Sequence, residues 1–221
     1  MMKKYISIEK LPALCFGIGG LFSLIPFIMQ IIMSGTPEEG SHIFTFFANQ
    51  IILNGKISLL FALLSIIGAT LIGYGMYFIN SIFQEKSNDP LMNLATYLFL
   101  IATFGFIISW SQDYVIIWGD VKDAVNHMMF EFSLIFSFGI FYWSGISIFT
   151  YRLSVEKYIH ENFLKSISYM ALINVLLIIY TLFTMDPYSG VSITPLYMGL
   201  VVGNFLFFGF CLLIGKKLYM N

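Results

Sequence analysis

Six apolar stretches, each about twenty residues or longer, divide this chain, and nothing else in it limits the fold as strongly. They fall at about 11–33, 57–83, 91–112, 128–151, 163–185 and 195–215. Crossing the roughly 30 Å hydrocarbon layer of a bilayer takes about 20 apolar residues in a helix. A helix satisfies its own backbone groups in lipid, as does a closed β-barrel. The stretches lack the two-residue alternation of barrel strands. The expected fold class is therefore all-α: a polytopic membrane bundle of six transmembrane helices, one domain over 1–221. Charged residues make up only 10% of the chain, against about 25% in a soluble domain, so the lipid bilayer is the expected solvent.

The segment ends have local causes. In SNDP (87–90), Asp89 is placed to cap a helix and Pro90 to occupy its first position. Thr194 and Pro195 repeat the arrangement before the sixth stretch. Pro26 lies inside the first stretch and predicts a kink.

Orientation follows from the basic residues. Lys3, Lys4, Lys10, Lys86, Arg152, Lys157, Lys165, Lys216 and Lys217, nine of the 11 Lys and Arg, fall on one side of the six crossings, leaving Lys56 and Lys122 on the other. An excess of Lys and Arg marks the cytoplasmic side, so both termini are expected in the cytoplasm, with the protein multi-pass in the plasma membrane. The opposite face holds Glu38, Glu39, Asp113, Asp120, Asp123, Glu131 and Asp186 and is acidic. The basic residues form no continuous face, which argues against nucleic-acid binding.

Cys15 and Cys211 both lie in apolar stretches without a CxxC partner and read as small apolar fillers. LPALC (11–15) resembles a lipoprotein cleavage site. The residues before it include three lysines and no apolar core, so a cleaved leader is not expected.

Helices in lipid associate through close packing and polar links. Ser65, Ala69 and Gly73 recur at four-residue steps, as do Ala13 and Gly17, Gly19 and Ser23, and Gly199 and Gly203. These serve packing within the bundle, with a homo-oligomer through Gly199 and Gly203 as the alternative. Asn174 and Asn204 sit near mid-depth of the fifth and sixth stretches. An unpaired amide there is costly, so each is expected to find a partner, the other amide being one option. No acid or base lies at mid-depth, which counts against an ion-coupled carrier.

SGTPEEGSHIFTFFANQIILNGK (34–56) starts polar and turns apolar, and is too short to cross again. As a helix, its residues His42, Thr45 and Asn49 share one side, away from Phe44, Phe47 and Ile51. That pattern suits a short helix lying in the outer interface or capping the bundle.

GDVKDAVNHMMFEF (119–132) gathers the polar residues with the clearest chemical potential. If a helix runs from about 121, Asp120, Asp123, His127 and Glu131 share one stripe about 80° wide, and Asp113 lies near in sequence. Imidazole with carboxylates suits a divalent transition metal or proton handling. His127 and Glu131 at i, i+4 have workable ligand spacing, although HExxH is absent. The structural alternative makes Asp120 a helix cap, lets Asp123 favour the helix dipole, and assigns Trp110, Tyr114 and Trp118 to the interfacial aromatic belt. GIGG (17–20) and GYG (73–75) lie inside apolar spans, so neither forms a phosphate loop. No nucleophile set is recognisable, and no cofactor is expected beyond that metal.

The layout, with FFANQIILNGKISLLFALLSIIGATLIGYGMYFI (46–79), resembles a broad group of six-span prokaryotic membrane proteins of unknown function. The resemblance implies the fold and supplies neither an activity nor site residues. Three functions follow as expectations. The leading one is a non-enzymatic accessory or interaction subunit of a membrane complex. The others are a small-solute transporter or channel passing Asn174 and Asn204, and a metal-dependent membrane enzyme using Asp120, Asp123, His127 and Glu131.

Overall fold

The computed structural model describes residues 10–35, 37 and 39–220. Lys3, Lys4 and Glu38, which entered the charge bias above, lie outside them. The described residues form α1 (Leu11–Ser34), α2 (Ile43–Asn54), α3 (Lys56–Ser87), α4 (Pro90–Trp110), α5 (Gln112–Trp118), α6 (Ala124–Val155), α7 (Glu161–Thr184) and α8 (Thr194–Met220), with a 3-10 turn at Gly190–Ile193 and no strand. Six units are long and apolar enough to cross a membrane: α1, α3, α4 with α5, α6, α7, and the 3-10 turn with α8. The protein is a multi-pass integral membrane protein. Helices α3 and α6 have 32 residues each, or about 48 Å at 1.5 Å per residue. They outrun the hydrocarbon layer, which explains why both extend past the apolar stretches visible in the sequence.

Each spanning helix packs against its neighbours in sequence, in the order α1, α3, α4, α6, α7, α8, and α8 closes back on α1. The connections are short, two residues between α3 and α4, so neighbours run antiparallel. Lys10 lies over the Tyr219 ring, 4.2 Å from its centre, where the ring of helices closes. The interior is filled by Phe16, Met76, Phe99, Phe149, Phe207 and Phe210, all buried. Phe104, Leu176 and Phe183 stand outward, as suits a protein dissolved in lipid.

Small residues decide how closely the helices approach. A Cβ on Gly68 would come 2.8 Å from the Ser23 amide nitrogen and 2.9 Å from the Gly19 carbonyl oxygen, so α1 and α3 touch backbone to backbone there. A Cβ on Gly145 would come 2.8 Å from the Ala95 carbonyl oxygen, between α6 and α4. Gly73 faces Leu100 of α4, and Gly17 faces open space. The small-residue steps in the sequence thus serve different neighbours: at the Ala13–Gly17 step α8 comes close, a Cβ on Gly215 lying 2.9 Å from the Ala13 carbonyl oxygen and 3.5 Å from the Gly17 amide nitrogen. Helices α6 and α7 are joined by reciprocal hydroxyl bonds: Ser147 donates to the Ser168 carbonyl and Ser168 to the Ser147 carbonyl, each at 2.9 Å.

At the basic end Asp89 caps α4, as expected, accepting from the amides of Leu91 at 3.0 Å and Met92 at 3.1 Å. It also accepts from Arg152 Nε at 2.6 Å and pairs with the Arg152 terminal nitrogen at 2.5 Å. Burial pushes its carboxyl up, but Arg152 and the two amides outweigh that and hold it below the ordinary aspartate value. Thr194, by contrast, is already helical and donates to the Gly190 carbonyl at 3.2 Å. Between the fourth and fifth crossings α6 ends at Val155, Lys157 takes a positive φ, and α7 starts at Glu161. Glu161 and Lys165, four residues apart on α7, pair at 2.7 Å.

Candidate functional site

A break in the third crossing builds the site. Helix α4 stops at Ser111, whose hydroxyl donates to the Ile108 carbonyl at 2.7 Å; the Gln112 amide donates to the same oxygen at 3.3 Å. These side chains serve backbone acceptors near the helix end and accompany the change of direction. Asp113, in the first turn of α5, is 1% exposed. Glu131 of α6 is 6% exposed. The Ser109 hydroxyl donates to the Glu131 backbone carbonyl at 3.2 Å and fastens α4 to α6 at this depth. The Asp113 and Glu131 carboxyl groups lie close enough to act on one another electrostatically. Neither Asp113 oxygen, nor Glu131 Oε2, has a hydrogen-bond partner among the described residues.

Aromatic groups shut the pair away from the acidic end. Phe44 of α2 meets Phe132 of α6 edge-on at 5.3 Å, and Phe47 stacks on Phe132 at 5.5 Å. Ala48, Ile116, Ala124 and Met128 complete this second buried cluster. Tyr197 of α8 lies 6.2 Å from Phe47 and near Glu131. Tyr114, near Asp113, stacks on Trp118 at 5.4 Å. The α2 helix has the two faces its sequence predicted: Phe44, Phe47 and Ile51 pack inward, while His42, Thr45 and Asn49 line an open groove.

The four residues read from the sequence as a metal set do not come together. Helix α6 starts only at Ala124, so Asp120 and Asp123 lie in a turn rather than on the helical stripe, and both are exposed. Asp120 does not cap the helix; its carboxylate accepts from the Lys122 amide at 3.1 Å. His127 Nδ1 bonds Gln112 Oε1 at 3.0 Å, while Glu131 turns inward to Asp113. His42 joins neither: it bonds Thr45 at 3.0 Å and packs on Tyr188 at 5.1 Å. Among the described residues, no group of three His, Cys, Asp or Glu side chains is arranged to hold a metal ion. No family model, curated protein or solved structure matches this chain.

The mid-depth amides also part. Asn204 donates to the Leu200 carbonyl of its own helix at 2.8 Å. Asn174 is fully buried, and neither atom of its amide has a hydrogen-bond partner. It occupies the notch left by Gly199 and Gly203: a Cβ on Gly199 would come 2.7 Å from Asn174 Oδ1, and one on Gly203 would collide with Nδ2. The two glycines are therefore buried inside the bundle, in contact with α7. Cys15 and Cys211 are buried and unbridged, as expected of fillers.

The Asp113–Glu131 pairing was only partly readable. Sequence proximity placed Asp113 near the cluster, yet nothing marked Glu131 as its partner.

Proposed function

We propose that this protein is a proton-responsive, non-enzymatic accessory module of a complex in the plasma membrane, with both termini in the cytoplasm and the acid pair toward the outer face. The observation that carries the reading is the buried Asp113–Glu131 contact. Two adjacent buried carboxylates without a cation strongly disfavour double ionisation, so one of the pair holds a proton. Removing that proton creates repulsion between α5 and α6. Helix α5 has seven residues and hangs from the break at Ser111, so it is the element with the least to hold it against that push. The clustering of Lys and Arg at one end supports the orientation. The transport alternative is less well supported, because Phe16, Phe99, Phe149 and Phe210 occupy the interior and must part before a solute could pass.

Infrared difference spectroscopy across a pH series tests the reading. The wild type should show a protonated-carboxyl carbonyl band that disappears as pH rises, together with a change in tryptophan fluorescence from Trp110 and Trp118. Asp113→Asn and Glu131→Gln should each remove or shift that band. A wild-type spectrum with no titrating carboxyl band at any pH would sink the proposal.

A further inference from the structure

At the basic end, where the α6–α7 turn meets the last turns of α8, lies a groove of about 410 Å³ lined by Ile159, His160, Leu213, Lys216, Lys217 and Met220. Its apolar walls come from Ile159, Leu213 and Met220, and its cations from the two lysines. Lys217 is held in place: its ammonium donates to the Tyr158 carbonyl and sits 3.9 Å from the Tyr158 ring centre. Lys216 is exposed. No ion pair among the described residues reaches either lysine; Glu161, next to His160 in the chain, is taken up by Lys165. Lys10, over Tyr219, adds positive charge on the same turns of α8.

We propose that this groove is a binding site for one anionic phospholipid of the adjoining leaflet. Its phosphate would sit at Lys216 and Lys217, with the start of an acyl chain along Leu213, Ile159 and Met220. A basic pocket between transmembrane helices at the membrane surface is suited to such a headgroup. The apolar wall is what separates a lipid from a free anion: inorganic phosphate gains nothing from Leu213 or Met220. Two lysines without an ion pair among the described residues separate anionic from zwitterionic lipid. Each lysine near a membrane surface strengthens such binding about fivefold.

The test is native mass spectrometry of the full chain released from detergent, after titration with phosphatidylglycerol, phosphatidylcholine or inorganic phosphate. Phosphatidylglycerol should be retained as one tight adduct, with phosphatidylcholine and phosphate retained far less. Lys216→Gln, which changes an exposed side chain, should weaken phosphatidylglycerol retention about fivefold, and K216Q with K217Q further. Lys122→Gln, exposed at the opposite end, should leave it unchanged. Equal retention of phosphatidylcholine, full competition by phosphate alone, or unaltered binding by Lys216→Gln would each overturn the proposal. Because Lys216→Gln alone keeps the Lys217–Tyr158 contacts, the result does not depend on the double variant folding.

Discussion

Replacing Asp89 should divide the stability of the basic end into two measurable parts. Asp89 has two jobs: its carboxylate caps α4 through the Leu91 and Met92 amides, and it faces Arg152 across two contacts. Loss of an N-cap side chain costs about 1 kcal/mol. Stripping one partner from a buried ion pair costs roughly 3–5 kcal/mol. The present pair should fall below that range, because the Arg152 side chain is 21% exposed and keeps Glu156 at 3.7 Å; about 2 kcal/mol is a reasonable figure. Asp89→Ala should therefore destabilise by about 3 kcal/mol. Asp89→Asn, which retains a capping oxygen and loses the charge, should cost about 2 kcal/mol. The assay is reversible unfolding in mixed micelles followed by circular dichroism, with Arg152→Gln completing a double-mutant cycle. A coupling energy near zero, or equal losses for the Asn and Ala variants, would refute the division. The pH dependence has a definite sign. The folded carboxyl is held below its ordinary value, so its contribution is complete above the usual aspartate pKa of about 3.9 and is lost as pH falls through the lower folded value. In Asp89→Asn that acid limb should flatten.

Gly68→Leu forces α1 and α3 apart and should cost about 1–3 kcal/mol, whereas Gly17→Ala, with nothing near its added carbon, should be close to neutral in the same unfolding assay. Asn174→Leu removes a buried amide with no partner and should be neutral or stabilising, by up to about 1–2 kcal/mol; a clear loss of stability would mean that the amide is satisfied in the folded protein. Hydrogen exchange should show α5 opening more readily at high than at low pH, and Asp113→Asn should abolish that difference.

The six crossings were legible because lipid imposes a length and polarity that a sequence displays directly, and the cap at Asp89 was legible because SNDP is a local code. Rotation of each helix about its axis was not. The spans are apolar nearly all round, so their periodicity scarcely says which side meets which neighbour. Asn174 and Asn204 could thus be placed at similar depth, yet one faces Gly199 and Gly203 while the other bonds its own helix. The assumed stripe of candidate residues was misplaced for a different reason. Counting helical turns from residue 121 assumed a helix that starts only at Ala124, which moved Asp120 and Asp123 off the stripe. The partnership of Asp113 with Glu131 depends on the change of direction at Ser111, where no proline or glycine announces it.

Because α8 returns to α1 and Lys10 meets Tyr219, the linear order of the helices has no privileged starting point in space. A circular permutant joined between residues 10 and 219 and reopened within the α6–α7 turn at 156–160 keeps every neighbouring pair of helices. Membrane insertion of the natural chain is correspondingly a process of adding staves in turn, and until α8 arrives the inner faces of α1 and α7 lack the wall that seals them from lipid.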